Sequence, residues 1–266
     1  MFRRIADSVF RLPASGEVRA QVVCFPPAGS WFTAFSSWKE LFPGDIELWA
    51  VTLPGHGIRL REPAVSDLRI MARMVTDDLM GLPRRRYAIF GHSMGGLLGF
   101  QTVRELLRRG FPPPEVIGVS AVRAPHRRGT SKNWQDDRVV LDRLRRRDAL
   151  PEHVLATPNL LNALLPAFQA DFTATDTYRA TANPPLDVPL LAWAGGKDPD
   201  TRPNDVEFWR DCVTSRFHLT VLDAGHSYIA EHASTIVRPL VTALDVEPAL
   251  THRPAITHKR GSTRER

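Results

Sequence analysis

The sequence has 266 residues, of which 43% are hydrophobic and 24% are charged, and this length suits one large α/β domain with a substantial core. Its two cysteines, Cys24 and Cys212, exclude a secreted scaffold held together by disulfides. The net charge is +6, but residues 252–266 hold five basic residues and one acidic residue, so the rest of the chain carries only +2, which is too little to indicate nucleic-acid binding.

The apolar stretches of the sequence are too short to predict a signal peptide or a membrane span. The first residues contain no apolar stretch of signal-peptide length, and no window of the sequence approaches the length of a membrane span. We therefore expect a cytoplasmic protein that does not enter a membrane. Residues 252–266 have no periodic apolar pattern, so we expect a domain over residues 1–246 followed by a basic, disordered tail over residues 247–266.

Short apolar runs alternate with amphipathic stretches along the chain. The apolar runs predict strands at residues 21–25, 46–53, 87–90, 116–122, 190–193 and 217–222. The amphipathic stretches predict helices at residues 68–82, 95–109, 204–213 and 236–244. Strands separated by helices predict a mostly parallel sheet that is covered by helices on both faces. Residues 127–182 break the alternation and are mostly helical in pattern, so we interpret them as a lid, with extra helical packing as the alternative.

A serine stands between the third predicted strand and the helix that follows it. The strand is followed directly by Gly91-His92-Ser93-Met94-Gly95-Gly96, a G-x-S-x-G motif in the strand-to-helix context of the α/β-hydrolase fold. Such a turn is sharp and strained, and Gly91 and Gly95 remove the side chains that would collide there. The turn lifts the Ser93 hydroxyl clear of the sheet and places a helix N-terminus next to it. We therefore predict that Ser93 is the nucleophile. The alternative is a glycine-rich turn with an incidental serine.

An acid and a base follow the last two predicted strands, in the order that this fold requires. The strand at 190–193 leads into Gly195-Gly196-Lys197-Asp198-Pro199-Asp200, where Asp198 is the predicted acid and Asp200 is the alternative. The last strand leads into a loop that holds His226. We expect His226 to take the proton of Ser93 while Asp198 orients its ring. His92, next to the nucleophile, is predicted to pack instead.

Two backbone N–H groups are needed to bind the oxyanion that forms during acyl transfer. One is predicted to come from Met94, the residue after the nucleophile. The other is predicted to come from the loop after the first strand, Phe25-Pro26-Pro27-Ala28-Gly29, in which the two prolines have no N–H to donate. Ala28 is therefore the first available donor.

Together these motifs resemble those of the type II thioesterases, the discrete editing enzymes of polyketide synthases and nonribosomal peptide synthetases. The resemblance covers residues 21–244 and includes the G-x-S-x-G turn at residues 91–95 and the acid and base loops. It also includes three further motifs: Cys24-Phe-Pro-Pro-Ala-Gly29, Leu53-Pro-Gly-His-Gly-Ile-Arg59 and Ala170-Asp171-Phe172. The chain departs from the family pattern at Pro27, where the family usually has histidine, and at Gln169, where it usually has arginine.

The resemblance implies hydrolysis of acyl groups from the phosphopantetheine arm of an acyl or peptidyl carrier protein. Ser93 would form an acyl-enzyme, and water activated by His226 would release the acid, with no metal or diffusible cofactor. A carboxylesterase or lipase and an acyltransferase would use the same three residues, and a non-catalytic scaffold would keep the fold alone. The acyl chain, the pathway and the oligomeric state are not predicted.

The predicted lid carries a cluster of arginines that has two interpretations. Arg143 and Arg147 are four residues apart and would share one side of a helix, together with Arg146 and more distant members of the cluster, Arg127, Arg128, Arg138 and Arg145. The first interpretation is a solvated helix face. The second is a basic surface that binds an acidic carrier protein.

Overall fold

The computed structural model describes residues 1–83, 85–127, 132–179 and 184–245. Its centre is one eight-stranded sheet with the spatial order β1-β2-β4-β3-β5-β6-β7-β8. The strands are β1 (Arg3–Arg4), β2 (Val9–Leu12), β3 (Ala20–Phe25), β4 (Ile46–Val51), β5 (Arg86–His92), β6 (Val116–Ser120), β7 (Leu190–Gly195) and β8 (Phe217–Leu222). The predicted tail, residues 247–266, lies outside the described residues.

The sheet is parallel from β4 across to β8, and only β1 and β2 run antiparallel to their neighbours. The mostly parallel sheet that the sequence predicts is therefore confirmed. Because parallel strands share a direction, the loops after β3, β5, β7 and β8 all leave the same edge of the sheet. The residues that follow these strands are those singled out as candidate site residues.

Apolar side chains cover both faces of the central strands. Along β3, Val22 and Cys24 pack into one hydrophobic cluster, whereas Val23 and Phe25 pack into another on the opposite face. Successive side chains of a strand point to opposite faces, so a strand buried on both sides must be apolar throughout. This is why the predicted strands are continuous apolar runs without alternation.

Seven α-helices are present in the described part of the chain. They are α1 (Leu68–Met80), α2 (Met94–Arg108), α3 (Asp137–Arg146), α4 (Glu152–Leu155), α5 (Pro158–Thr177), α6 (Pro203–Glu207) and α7 (Ala233–Asp245). Helices α1 and α2 contribute to one hydrophobic cluster and α7 to the other, so that helices lie on both faces of the sheet. None of the described helices has the length and hydrophobicity needed to cross a bilayer.

Two parts of the fold differ from the sequence prediction. Strands β1 and β2 were not predicted, because they are only two and four residues long and show no apolar run of ordinary strand length. The helix predicted at 204–213 is the short α6 followed by a 3₁₀ helix at Phe208–Cys212. Its buried residues Val206, Trp209 and Cys212 are spaced by three, and a 3₁₀ helix aligns such residues on one side.

Helices α3, α4 and α5 lie between β6 and β7, inside the segment that the sequence predicts to be a lid. Helices α3 and α5, together with the residue Trp134 before α3, form a small apolar cluster of their own, whose members are Trp134, Val140, Leu144, Leu165, Phe168 and Phe172. Residues 128–131 and 180–182 of the predicted insertion lie outside the described residues. The cluster packs α3 against α5.

Candidate active site

Ser93 occupies a strained turn between β5 and α2. Its φ is 54° and its ψ is −122°, a conformation that residues with a side chain rarely adopt. The glycines on either side make the turn possible: a Cβ atom at Gly91 would lie 2.0 Å from the carbonyl oxygen of Gly95, and a Cβ atom at Gly95 would lie 2.1 Å from the carbonyl oxygen of Phe25. The serine is buried, with 6% of its surface exposed.

His226 and Asp198 lie next to Ser93 in a continuous chain of contacts. Nε2 of His226 is 3.0 Å from Oγ of Ser93, and Nδ1 of His226 is 2.6 Å from Oδ2 of Asp198. Oδ1 of Asp198 accepts hydrogen bonds from the backbone N–H groups of Asp200 and Thr201, at 2.9 and 3.1 Å. The three side chains that the sequence analysis singled out therefore meet at the same edge of the sheet, after β5, β7 and β8.

The surroundings of His226 favour its neutral form. Burial disfavours the charged ring and, together with the nearby positive charge of Arg147, lowers the pKa of His226, although Asp198 acts in the opposite direction. A neutral imidazole whose Nδ1–H is donated to Asp198 presents the lone pair of Nε2 to the hydroxyl of Ser93. Such a ring is ready to accept a proton near neutral pH.

Asp200, the alternative acid, faces three arginines of the lid and not the histidine. Its Oδ2 accepts a 2.6 Å hydrogen bond from Nε of Arg147, and its Oδ1 accepts a 3.0 Å bond from Nη1 of Arg146. Nε of Arg143 is 3.9 Å from the same carboxylate. Burial opposes ionisation of Asp200, but the arginines, Arg147 foremost, outweigh it and lower the pKa of Asp200. Asp200 thus anchors the end of α3 to the loop after β7.

Two members of the arginine cluster, Arg143 and Arg147, do not belong to the solvated face that was its first interpretation, whereas Arg138, Arg145 and Arg146 are exposed. The side chains of Arg143 and Arg147 are only 12% and 7% exposed, and the Arg143 guanidinium lies 4.8 Å from the ring centre of Trp134 and 4.7 Å from that of Phe172. Arg143 and Arg147 therefore do not present an outer docking surface either. The i, i+4 spacing placed them on one side of α3, but only the tertiary packing turned that side inward.

The sequence analysis did not predict that Arg147 contacts the nucleophile Ser93. It directly follows α3, and its Nη1 lies 3.4 Å from Oγ of Ser93. Its carbonyl oxygen accepts a 2.9 Å hydrogen bond from Oγ of Ser227, the neighbour of His226. The only feature of the sequence that singled out Arg147 was the basic run Arg145-Arg146-Arg147. Such a run does not indicate how far Arg147 lies from Ser93.

The predicted oxyanion donors stand on two segments that pack against each other. Met94 begins α2 immediately after Ser93, and the carbonyl oxygens of Phe25 and Pro26 come within 2.1 and 2.6 Å of where a Cβ atom of Gly95 would lie. The loop that leads from Phe25 to Ala28 therefore runs directly over the N-terminus of α2. This brings the Ala28 backbone to the same side of the sheet as Met94.

The next residue of this loop, Gly29, connects it to the lid. Gly29 has a φ of 72°, and a Cβ atom there would lie 2.0 Å from the Phe168 ring of α5. Its N–H donates a 2.7 Å hydrogen bond to Oδ2 of Asp171, also on α5. The position of the predicted oxyanion loop thus depends on the lid helix.

Two further motifs of the family pattern meet at Asp171. Nε2 of His56, from the loop after β4, is 2.8 Å from Oδ2 of Asp171, and Nδ1 of His56 is 3.0 Å from the carbonyl oxygen of Pro54. Burial disfavours the charged ring, but the Asp171 carboxylate outweighs that effect and raises the pKa of His56. The sequence analysis recognised both motifs separately and did not predict their contact.

Two residues that the sequence analysis mentioned beside the site have structural contacts. His92 is buried, as its predicted packing role requires, and its Nδ1 is 2.9 Å from Oγ of Ser120. Burial lowers the pKa of His92 well below its ordinary value. Gln169, where the family usually has arginine, donates a 2.8 Å hydrogen bond from Nε2 to Oδ1 of Asp137 and so connects α5 to the start of α3.

A cleft of about 250 Å³ opens above Ser93 between the lid and the sheet. Most of its lining is polar or charged. The basic residues that line it are Arg123, Lys132, Arg143, Arg146 and Arg147, and the acidic ones are Asp176 and Asp200. Among the described residues, no group of three or more histidine, cysteine or acidic side chains is arranged to hold a metal ion.

Similar proteins are known from sequence and structure. A probable thioesterase of cadicidin biosynthesis from Streptomyces griseus is 31% identical over 238 residues, which are 89% of this chain and 65% of that protein. The thioesterase PikA5 of Streptomyces venezuelae is 35% identical over 214 residues, which are 79% of this chain and 75% of that protein. The structure of BorB, a type II thioesterase from the borrelidin biosynthetic cluster, matches with a TM-score of 0.82 at 29% identity and covers 91% of this chain and 100% of BorB.

These similarities extend over the sheet, the lid and the site. The chain spans just under two thirds of the length of the Streptomyces griseus relative, but it covers the whole of BorB. The thioesterase domain family matches residues 20–243, from the start of β3 almost to the end of α7. The chain therefore belongs to the thioesterase family, has the α/β-hydrolase fold, and is a type II thioesterase of the kind found in polyketide and nonribosomal peptide pathways.

Proposed function

We propose that this chain hydrolyses acyl thioesters carried on the phosphopantetheine arm of an acyl or peptidyl carrier protein, through an acyl-enzyme on Ser93. The observation that carries the proposal is the chain of contacts from Oγ of Ser93 to His226 and on to Asp198, at 3.0 and 2.6 Å. This arrangement of nucleophile, base and acid performs acyl transfer on several unrelated folds. The reaction needs no metal or diffusible cofactor.

In the first half of the reaction, the thioester becomes an ester of the enzyme. Nε2 of His226 takes the proton of Ser93 while Oγ attacks the carbonyl carbon of the thioester. Asp198 stabilises the imidazolium, and the N–H groups of Ala28 and Met94 donate hydrogen bonds to the oxyanion. When the tetrahedral intermediate collapses, the C–S bond breaks and the sulfur leaves with the proton from His226. The acyl group is then bound to Oγ of Ser93.

In the second half, water replaces the thiol. His226, neutral again, takes a proton from water while the water oxygen attacks the acyl ester. The second tetrahedral intermediate uses the same backbone donors, and Oγ of Ser93 leaves with the proton from His226. The products are the free acid and the original enzyme. The lowered pKa of His226 suits both halves, because in each half the ring must begin as a base.

Two observations favour a carrier-bound thioester over the ester of a lipid. The first is similarity to proteins named as thioesterases of the cadicidin and borrelidin biosynthetic clusters. The second is the lining of the cleft, where five cations stand above Ser93. Sites for long apolar acyl chains are lined mainly by hydrophobic and aromatic side chains. A charged cleft of about 250 Å³ suits a small acyl group attached to a polar arm.

The decisive experiment compares one acyl group in three forms: on a holo carrier protein, on N-acetylcysteamine, and as an oxygen ester. We expect kcat/KM to be highest for the carrier-bound form, with the free acid as the product. Ser93→Ala should lower kcat by about three to six orders of magnitude and should abolish labelling by a fluorophosphonate probe. The proposal is wrong if the oxygen ester is the best substrate, or if the acyl group passes to an added amine or alcohol instead of water.

A further inference from the structure

A chain of buried polar side chains lies next to the nucleophile and the base, and the proposed mechanism does not use it. His92, Ser120 and Tyr228 are almost completely buried. Nδ1 of His92 is 2.9 Å from Oγ of Ser120, which is 2.6 Å from the hydroxyl oxygen of Tyr228. That hydroxyl oxygen is in turn 3.0 Å from the carbonyl oxygen of Trp193. A buried polar chain in which every member has a partner is rigid, and this one can therefore fix the position of whatever it is attached to.

The chain crosses the sheet at one level and ends in the loop that holds the base. His92 is the last residue of β5 and is paired in register with Ser120, the last residue of β6, which is paired with Trp193 of β7. Tyr228 belongs to the loop after β8, two residues beyond His226. Its hydroxyl therefore attaches the loop of the base to two strands, at the edge of the sheet that carries the nucleophile.

The donors and acceptors of this chain can be assigned from its last member. A carbonyl oxygen only accepts, so the hydroxyl of Tyr228 donates to Trp193. The oxygen of Tyr228 then accepts from the hydroxyl of Ser120, and the oxygen of Ser120 accepts from Nδ1–H of His92. Because each hydroxyl has one hydrogen, this arrangement alone makes all three contacts hydrogen bonds. It places the proton of a neutral His92 ring on Nδ1 and so fixes the orientation of that ring.

The oriented ring of His92 packs against the base. The ring centres of His92 and His226 are 5.4 Å apart, with 55° between their planes, and the ring of Tyr228 meets that of His92 edge-on at 5.1 Å. His226 depends on contacts of this kind because it lies in a loop and not in a helix or strand. Its Nε2 is 3.0 Å from Oγ of Ser93, and a displacement of about 1 Å at a catalytic contact can lower the rate about 100-fold.

We infer that His92, Ser120 and Tyr228 are positioning residues, which hold the loop and the ring of His226 in the geometry that takes the proton of Ser93. The inference rests on the proposed function and adds three residues to its machinery. None of the three is among the described residues that line the cleft above the nucleophile. Their loss should therefore lower kcat and leave KM nearly unchanged.

The first test removes only the hydroxyl of Tyr228. Tyr228→Phe keeps the ring and leaves the Ser120 hydroxyl without its acceptor, so we expect kcat for an N-acetylcysteamine thioester to fall about 10- to 100-fold at an almost unchanged KM. Tyr87→Phe is the matched control, because Tyr87 is also buried and its hydroxyl donates a 2.7 Å hydrogen bond to the carbonyl oxygen of Pro112, at the other end of β5. Both variants should lose a similar amount of Tm. The same kcat in both variants would overturn the inference.

The second test examines the proton assignment and the coupling within the chain. His92→Asn keeps an N–H donor close to the position of Nδ1 and His92→Leu has none, so the asparagine variant should retain up to about tenfold more of the wild-type kcat. Ser120→Ala combined with Tyr228→Phe should lower kcat little more than either substitution alone, because both break one hydrogen-bond chain. Losses that multiply in the double variant, or a leucine variant as active as the asparagine variant, contradict the inference. If the variants at position 92 do not fold, the double variant decides.

Labelling of Ser93 by a fluorophosphonate probe separates this inference from the proposed function. The labelling needs the base but no thioester, so its rate should fall at least about tenfold in Tyr228→Phe, whatever the natural substrate is. An unchanged labelling rate overturns the inference and leaves the proposed function intact. If the wild-type enzyme hydrolyses no thioester, the proposed function is wrong, and a slower labelling of the variant still supports the positioning role.

Discussion

Oδ2 of Asp171 lies 2.8 Å from Nε2 of His56 and 2.7 Å from the backbone nitrogen of Gly29, and the side chains of Asp171 and His56 are almost completely buried. One carboxylate oxygen therefore connects α5 of the lid, the loop after β4 and the loop that contains the predicted oxyanion donor Ala28. Because both ring nitrogens of His56 face oxygen acceptors, the doubly protonated ring fits both contacts and a neutral ring fits only one.

Replacing this carboxylate should destabilise the protein and weaken catalysis. Asp171→Ala leaves a buried imidazolium and a half-buried N–H without their acceptor, so we expect the free energy of unfolding to fall by about 3 to 5 kcal/mol. The loop that contains Ala28 also loses the hydrogen bond from Gly29 to Asp171 of α5, so kcat should fall in the protein that remains folded. Urea unfolding and steady-state kinetics measure the two effects. Asp223→Ala, which removes an exposed ion pair with Lys197, is the control and should change little.

The His56–Asp171 pair should also make stability depend on pH. The pKa of His56 is raised in the folded protein, so its contribution is complete below the unfolded value of about 6.5 and is lost as the pH rises through the folded pKa. The difference in Tm between the wild-type protein and Asp171→Asn should therefore be largest below pH 6.5 and should narrow in alkaline solution. A difference that widens with pH would show that the ring is neutral in the folded protein.

The two aspartates after β7 should behave differently on substitution. Asp198→Asn removes the acceptor that fixes the tautomer of His226, and we expect kcat to fall by about 10⁴, as in other serine triads. Asp200→Asn should lower kcat far less, because its carboxylate contacts lid arginines and not His226. It should instead weaken the attachment of α3, which limited proteolysis would detect as faster cleavage in the lid. The reverse order of kcat values would transfer the acid role to Asp200.

The sequence was informative wherever local constraints determine the structure. The glycines around Ser93 are required by backbone collisions, and the loops with Asp198 and His226 follow apolar runs that could be recognised one at a time. The contacts that the lid makes with the rest of the fold were not predicted. Helical spacing placed Arg143 and Arg147 on one side of α3, but nothing local showed that this side packs on Trp134 and faces the cleft. The meeting of His56 with Asp171, 115 residues further along the chain, depends on packing of the lid in the same way.

Removing the charge of Arg147 should shift the pH dependence of hydrolysis. His226 acts as a base only when neutral, and burial and Arg147 together hold its pKa below the ordinary value of about 6.5. The acidic limb of the kcat/KM profile should therefore lie below pH 6.5 in the wild-type enzyme. In Arg147→Gln the larger of the two arginine charges that lower the pKa of His226 is gone, so the limb should move to higher pH. Arg147→Lys keeps the charge and should leave the limb almost unmoved.

The substrate for this measurement should be a neutral acyl thioester, so that no substrate carboxylate titrates in the same range. A purely structural effect of the substitution would lower activity by the same factor at every pH and leave the limb in place. A limb that stays in place, or moves to lower pH, would show that the charge of Arg147 does not act on His226. A shift to higher pH in the glutamine variant but not in the lysine variant would identify that charge as the cause, because both substitutions shorten the side chain and remove the guanidinium fork.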